Sequence, residues 1–545
     1  VECALARIDI VDCKLFLEIS RMLAPQAKKI PGAYFVRSKM GWVAPREMVE
    51  RAVALFPDLP ISDIAQKYIA YREAERQAIQ RIKTEASQEP TEKVEEGKLY
   101  QHQKTMIKLG LTADSFGFFL DMGLGKTRAM LEILRSISEK ALVVAPLTIL
   151  NAAWMEDRIQ FTPEIPMIIP WAKTKKNRTA RVDTFVKDES PVVGVINYES
   201  FRLDIDQFYD AGIKVLVLDE SSKIKAPRSL ITKALLKFSR TVPRRFIMSG
   251  TPAPNTLLEY FTQMKFLDPS ILGTSFVAFR NKYFFPTGFG GYQWEINDVK
   301  REALLTKIAE RSIWVRSEDH LDLPEQTDLV RDVMMSPTQV AAYKQFKKDL
   351  ILQFGDVEVI APNVLTEIMK LRQIVSGALI VDGRIIPIEK KPPKLMETDE
   401  LVNGELKNRQ VIIWTQFHFE GDLLMKQFSP DAARLDGTVS PADKQEAIES
   451  FRSGRKRLLI AHPRTAGHGL TFVNSSYVIY YSLDYSYEAH EQSRKRIHRI
   501  GQTNNCFYIY LLGSCDGKNT IDHRILSVLR RKTKLSEMCK EFLRG

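Results

Sequence analysis

The stretch Asp121-Met122-Gly123-Leu124-Gly125-Lys126-Thr127 follows an apolar run and opens a helix-forming segment. That arrangement suits a phosphate cradle. Gly123 and Gly125 let backbone N–H groups approach an oxyanion, and the helix N-terminus behind them favours negative charge. Lys126 can reach β and γ phosphates, and the Thr127 hydroxyl can hold Mg2+. Leu120 stands where the common pattern has its first glycine. Downstream, Val215-Leu216-Val217-Leu218-Asp219-Glu220 is an apolar strand ending on two carboxylates. Asp219 suits Mg2+ coordination and Glu220 suits water activation. Alone, such a strand could equally end in a solvated acidic turn, and its place downstream of Lys126 favours the catalytic reading. The third group is Gln492-Ser493-Arg494-Lys495-Arg496-Ile497-His498-Arg499-Ile500-Gly501-Gln502. A helix here would present Arg496 and Arg499 on one face. From a second lobe, one or both could reach the γ-phosphate as arginine fingers; the plain alternative is a solvated basic helix.

These groups need a scaffold, and the sequence supplies one. From Leu99 onward, apolar strands alternate with helices, the mark of a parallel sheet covered on both faces. Strands are expected at Phe116–Leu120, Ala141–Ala145, Val192–Asn197, Val215–Leu218 and Arg245–Ser249. A second series begins near Gln410, with strands at Val411–Trp414, Arg434–Leu435, Arg457–Ala461, Val478–Tyr481 and Phe507–Leu512. The Lys-rich helical material between them, about 266–405, fits neither sheet. Before Leu99, Arg7-Ile8-Asp9-Ile10 alternates like a strand, while Leu15, Phe16, Ile19, Met22 and Leu23 repeat at helical spacing. A long polar helix is expected from Ile61 to about Ser87. A linker follows around Pro90, making residues 1–90 physically separable.

Composition narrows the classes. Across 545 residues, 44% hydrophobic and 27% charged exclude collagen-like and disordered chains. Lys and Arg outnumber Asp and Glu by 79 to 67, a net charge of +12 that suggests a polyanionic partner, nucleic acid first. No apolar stretch nears the ~20 residues needed to cross a bilayer. No charged leader and apolar run open the chain at Val1-Glu2-Cys3, so no signal peptide is expected, and the missing initiator Met points to a trimmed start or a fragment. Cys3, Cys13, Cys506, Cys515 and Cys539 show no C-x-x-C spacing, which argues against a disulfide framework or zinc ribbon and for a reducing compartment. His320, His418, His462 and His523 form no ligand-spaced cluster.

In order along residues 97–535, these motifs resemble those of the Swi/Snf-like ATPases of helicase superfamily 2. The resemblance implies an α/β fold of two RecA-like parallel-sheet lobes with a helical insertion, and a DNA-dependent ATPase using ATP and Mg2+. It makes Leu99-Tyr100-Gln101-His102-Gln103 an adenine-reading segment with Gln103 as reader. ATP binding then falls to Gln103, Gly123, Leu124, Gly125, Lys126, Thr127, Arg496 and Arg499. The DNA side falls to Pro146, Leu147, Thr148 and Asn197. Coupling falls to Ser249, Gly250 and Thr251, to Gly467 and Gly469 within Thr465–Thr471, and to Gln492. Val411 to Phe417 and Leu435-Asp436-Gly437-Thr438 resemble the intervening motifs. Two positions depart from the family pattern. Ser222 replaces the usual His after the acidic pair, which bears on coupling, and Thr471 replaces the usual Asn.

Lys28-Lys29-Ile30-Pro31-Gly32-Ala33 and Met40-Gly41-Trp42-Val43-Ala44-Pro45 resemble the HepA-related domain that stands beside this motor in annealing helicases. By that resemblance Lys28, Lys29 and Trp42 contact DNA, the ring stacking an unpaired base. Asn281 to Trp294 and Ile313-Trp314-Val315-Arg316 look like the protrusion of that subgroup. The expected organisation is a small α/β DNA-structure-binding domain over 1–60, a charged helix and linker over 61–96, and a first lobe over 97–265. Protrusions and interlobe linker follow over 266–405, a second lobe over 406–530, and a helical tail over 531–545. The expected function is an ATP-dependent double-stranded DNA translocase that remodels or anneals forks, with single-stranded DNA at junctions as a further partner and no membrane. The alternatives are an ATP-gated DNA clamp without translocation and a motor displacing polymerase or nucleosomes. The compact chain favours a bacterial or viral source and a cytoplasmic or nucleoid-associated location, or the nucleus if eukaryotic.

Overall fold

The computed structural model describes residues 7–11, 14–88, 98–288, 293–319, 323–354, 362–465 and 470–543. The chain divides into two compact units, Val1–His320 with Ser536–Gly545, and Leu321–Leu535. Among the described residues, no helix is long and apolar enough to cross a membrane.

The first unit opens with β1 (Arg7–Val11), β2 (Lys14–Glu18), β3 (Tyr34–Val36) and β4 (Gly41–Pro45), an antiparallel sheet in the order β1-β2-β4-β3. The helix expected from the spacing of Leu15, Phe16 and Ile19 is instead β2. Alternation wins there, because Leu15 and Leu17 pair with Ala44 and Trp42 and point into one core with Ile8, Val49 and Phe56. The expected long polar helix is present as Asp63–Gln88. Its polarity has a use that spacing does not reveal, since several of its charges are buried against the rest of the unit. Arg72 Nη2 lies 2.9 Å from Asp268 Oδ2, Arg311 Nη2 lies 2.6 Å from Glu75 Oε2, and Lys83 Nζ donates to Ser312 O at 2.8 Å. In the small domain, Glu47 Oε1 takes Arg245 Nη2 at 2.7 Å. The separability expected of residues 1–90 is therefore corrected: cutting there would strip Asp268, Arg311 and Arg245 of buried partners. Pro90 itself lies outside the described residues.

The rest of the unit is a RecA-like lobe. Its strands are β5 (Ser115–Leu120), β6 (Ala141–Ala145), β7 (Met167–Ile168), β8 (Val193–Asn197), β9 (Val215–Asp219) and β10 (Arg244–Ser249). An antiparallel hairpin, β11 (Phe284–Thr287) and β12 (Gln293–Ile296), then precedes β13 (Ser312–Val315). β13 returns to the sheet, giving seven strands in the order β13-β5-β10-β9-β6-β8-β7, all parallel. Unbroken apolar runs such as Ala141–Ala145 and Val215–Leu218 are buried throughout, as a sheet covered on both faces requires. Because β10 lies between β5 and β9, the segments following these three strands emerge side by side at the carboxyl edge, where open α/β sheets bind ligands.

The second unit contains β14 (Gln326–Met334), a hairpin of β15 (Ala378–Val381) and β16 (Arg384–Pro387), then β17 (Val411–Trp414), β18 (Ala432–Leu435), β19 (Leu458–Ala461), β20 (Tyr477–Tyr480) and β21 (Cys506–Ser514). Six of these form a second parallel sheet in the order β14-β21-β20-β17-β19-β18, with an apolar cluster on each face. The two lobes expected from the alternation are present. The expectation that residues between the two series fit neither sheet is corrected at β13, which adjoins β5, and at β14, which adjoins β21.

Candidate active site

The phosphate loop joins β5 to the helix Lys126–Ile137. Gly123 (φ 90°) and Gly125 (φ 69°) take the left-handed backbone that turns successive N–H groups toward one point. A Cβ on Gly125 would collide with Gln103 Nε2. Gln103, expected to read adenine, is buried, and its amide engages the loop itself: Nε2 donates to Leu124 O at 3.3 Å, and Oε1 accepts from Tyr100 N at 3.0 Å. His102, to which no role was attached from sequence, adds a second brace, with Nε2 2.9 Å from Leu124 O. Lys126 Nζ donates to Leu120 O at 2.9 Å, which holds the ammonium over the loop. Thr127 is half-buried in the first helical turn. Asp121, at the base of the loop, accepts from Ser317 N at 3.2 Å and pairs with Lys540 Nζ at 2.9 Å.

The acidic pair stands at the end of β9. Both carboxylates are buried. Glu220 N donates to Asp219 Oδ1 at 3.0 Å and Trp154 Nε1 donates to Asp219 Oδ2 at 2.9 Å, while Tyr198 OH donates to Asp219 O at 2.8 Å. Burial first, then the neighbouring Glu220, pushes the Asp219 carboxyl up to about 7, with Lys126 pulling the other way. Two crowded buried carboxylates facing an ammonium form an oxygen-donor set that a hard divalent cation suits, so Thr127 and Asp219 fit Mg2+ carried in with a nucleotide. Glu220 occupies left-handed backbone (φ 54°), an unusual conformation for a side-chain-bearing residue.

Ser249, Gly250 and Thr251 connect these two halves. Ser249 Oγ donates to Glu220 Oε2 at 3.3 Å and accepts from Thr251 N at 3.1 Å. A Cβ on Gly250 would stand 3.6 Å from Lys126 Nζ and 3.3 Å from Met122 Cγ, so this position lies against the phosphate loop. Ser222, the departure from the family pattern, is buried.

In the second unit the expected arginine helix is shorter than its motif. The helix Tyr487–Arg494 ends before either finger residue. Arg496 and Arg499 instead sit in the turns that follow, and they converge by another route. Arg496 Nη1 donates to Leu470 O at 2.8 Å, and Arg499 Nη1 donates to Thr471 Oγ1 at 2.9 Å and Leu470 O at 3.3 Å. Burial pulls the Arg499 guanidinium downward from its ordinary value. Arg494, in the same motif, has a packing role: Nη1 contacts Asp328 Oδ1 at 2.5 Å and Tyr510 OH at 2.7 Å, and the guanidinium covers the Tyr508 ring. Gln492 is buried, and Gly467 and Gly469 lie outside the described residues.

The SNF2-related domain matches residues 100–378, and the helicase conserved C-terminal domain matches residues 393–501. The chain belongs to the SNF2-related family of helicase-like ATPases. Among its relatives, putative protein p41 of Acyrthosiphon pisum secondary endosymbiont phage 1 is 26% identical over 82% of this chain and 98% of that protein. The human DNA repair and recombination protein RAD54-like is 26% identical over 76% of this chain and 61% of its own length. The putative ATP-dependent helicase/translocase YwqA of Bacillus subtilis is 24% identical over 74% of this chain and 45% of its own length. The chain thus spans about half the length of these two larger relatives. A solved SWI2/SNF2 ATPase core of Sulfolobus solfataricus in complex with dsDNA is 21% identical, with a TM-score of 0.38, covering 80% of this chain and 91% of that one.

The remaining expected positions of this SNF2-related chain fall into two groups. Pro146, Leu147 and Thr148 follow β6, with Leu147 46% exposed, and Asn197 ends the neighbouring β8, its Nδ2 donating to Glu199 Oε2 at 3.1 Å. In the small domain Lys28 and Lys29 are exposed. Trp42 is not: it is 8% exposed, packed edge-on to Phe35 at 5.8 Å within the core. The expectation that its ring stacks a base is corrected, because β4 needs that side chain to close the small domain. Tyr34 and Phe35 are the half-exposed aromatics there.

Proposed function

We propose that this protein is an ATP-dependent translocase on double-stranded DNA that remodels or anneals branched structures such as forks. The observation that carries the reading is the hydrogen-bonded edge of the first lobe, where Ser249 touches Glu220 and the adjoining Gly250 lies against Lys126. Lys126 and the amides around Gly123 and Gly125 bind and orient phosphates. Thr127 and Asp219 hold Mg2+, which supplies charge neutralisation at the transferred phosphoryl group. Glu220 orients the attacking water and accepts its proton, and Ser249 fixes that carboxylate. Arg496 and Arg499 neutralise charge developing on the γ-phosphate, a contribution worth roughly 10³–10⁵ in rate, or about 4–7 kcal/mol. A net charge of +12 and relatives named for DNA repair and for helicase or translocase activity support DNA as the track. Pro146–Thr148 and Asn197 are its contacts on the first lobe, and Lys28 and Lys29 are its contacts on the small domain.

The test is triplex displacement combined with ATP turnover on single-stranded, duplex and forked DNA. Duplex-stimulated hydrolysis with removal of the third strand is expected. Stimulated hydrolysis without third-strand removal would reduce the protein to an ATP-gated clamp. Turnover indifferent to DNA would remove the motor reading altogether.

A further inference from the structure

The first unit holds a cavity that takes no part in the nucleotide site. It has a volume of about 630 Å3 and lies between the small domain, the helix Asp63–Gln88 and the segment from Asp268 to Arg311. Six basic side chains line it, Arg51, Arg72, Arg76, Lys282, Lys307 and Arg311, against four carboxylates. Each of those carboxylates is already in an ion pair. Asp268 pairs with Arg72 at 2.9 Å, Glu47 with Arg245 at 2.7 Å, Glu310 with Lys307 at 3.6 Å, and Glu50 with Arg76.

What remains is positive. Among the described residues, Arg51 and Lys282 make no ion pair, although Lys282 Nζ lies over the Tyr283 ring. Arg311 is the decisive group. Its side chain is 4% exposed, its Nη2 is committed to Glu75 at 2.6 Å, and its Nη1 is buried with no hydrogen-bond acceptor among the described residues. Buried guanidinium N–H groups are costly to leave unmet and are strong donors to oxyanions. A wall with surplus cations and an unmet buried donor selects an anion with several acceptor oxygens. The volume falls within the range of small-molecule sites.

We propose that this cavity binds a phosphate group, with Arg311 donating at its inner end and Arg51 and Lys282 supplying charge at its mouth. The phosphate belongs either to a small phosphorylated molecule or to a nucleic-acid backbone, and the two sources share the chemistry that the wall recognises.

Pyrophosphate and a short duplex oligonucleotide are the probes, each titrated by calorimetry into the full chain. The Lys126→Ala background mutes the phosphate loop, so that failure of the ATPase reading and failure of this site can be told apart. Saturable binding of pyrophosphate is expected there, weakened about tenfold or more when Arg51→Gln and Lys282→Gln are added together. Arg311→Gln should abolish it, and because that variant also disturbs the Glu75 pair, the double variant at the mouth is the deciding one. Its ATP turnover should equal that of the parent when Lys126 is restored. If the oligonucleotide saturates the site, pyrophosphate does not, and the double variant weakens the oligonucleotide, the phosphate is a backbone phosphodiester and the proposal stands. No saturable binding of either probe, or binding indifferent to the double variant, overturns it.

Discussion

The buried carboxylate Asp268 offers a quantitative test of how residues 63–88 are held. It is 2% exposed and accepts from Arg72 Nη2 at 2.9 Å, with Arg311 Nε at 3.9 Å and Ser270 N at 2.8 Å. Asp268→Asn keeps the shape and removes the charge. At an effective dielectric near ~20, the attractions lost at these two ionic distances are about 6 and 4 kcal/mol. Against that, the variant no longer desolvates a carboxylate, a relief of several kcal/mol. Glu75 still answers Arg311, and Glu50 still lies 3.6 Å from Arg72 Nε. The net loss should therefore sit near the low end for a broken buried pair, about 3 kcal/mol. For a unit of this size that lowers the melting temperature by about 4 °C. Scanning calorimetry of the full chain measures it, with the exposed Asp58→Asn as control. The pH dependence supplies a second readout. Burial pushes the Asp268 carboxyl up, but Arg72, Arg311 and Ser270 outweigh it and hold the group below the usual carboxylate range. Its contribution is thus complete above the unfolded value near ~4 and fades as pH falls through the lower folded value. Asp268→Asn should lack that part of the acid decline. Melting within about 1 °C of the Asp58→Asn control would refute the reasoning.

Lys126→Ala should reduce ATP hydrolysis to background, since no other side chain is held at that point of the loop; wild-type turnover in the folded variant would remove the site assignment. Arg499→Ala and Arg496→Ala should each bind nucleotide within a few-fold of the parent yet lose DNA-stimulated hydrolysis, because the groups act on charge that develops during transfer; full turnover in both would leave the arginine turn structural. Burial, followed by Arg311, lowers Lys83 to about 8, so between that pH and ~10 the unfolded chain holds a proton that the folded chain does not, and stability should rise with pH by at most about 3 kcal/mol. Denaturant titrations across that window should show the rise in the parent and not in Lys83→Met. Deleting residues 1–90 should cause aggregation or loss of ATPase by stripping Asp268, Arg311 and Arg245 of their buried partners Arg72, Glu75 and Glu47, and a soluble truncation with parental turnover would contradict this.

Much of the core of this fold is legible in the sequence, and the reason is physical. Strands such as Val215–Asp219 are buried on both faces, so they read as unbroken apolar runs, and the glycines at 123 and 125 announce a left-handed turn. Where side chains face two ways the signal weakens. β14 carries exposed Leu329 and Val330 at a sheet edge, so its run looks like linker, and β13 is only four residues long. Lys14–Glu18 satisfies both a helical and an alternating pattern, and only the partner strand decides between them. Trp42 illustrates a different limit: basic neighbours suggest a stacking face, but burial is a property of the tertiary contacts. The braces from His102, Trp154 and Tyr198 to the loop and the acidic pair join residues 21 to 65 positions apart, a relation that no local spacing encodes.

The buried charges that fasten Asp63–Gln88 and Glu47 to the first lobe also fix how the small domain can sense anything. A module on a flexible tether explores a volume, and its effective concentration at a second site is set by linker length. Here the small domain has no such search volume. Lys28 and Lys29 are held at a fixed spacing from Pro146–Thr148 on the first lobe, so a DNA contact made there, as proposed, would be a measurement of distance and angle. On the proposed contacts, a duplex whose shape matched the fixed spacing between Lys28 and Lys29 and the Pro146–Thr148 segment would engage both at no further cost in orientational freedom, and one that did not match would have to bend or let go. On that proposal the small domain would work as a caliper, gauging the DNA by its fit.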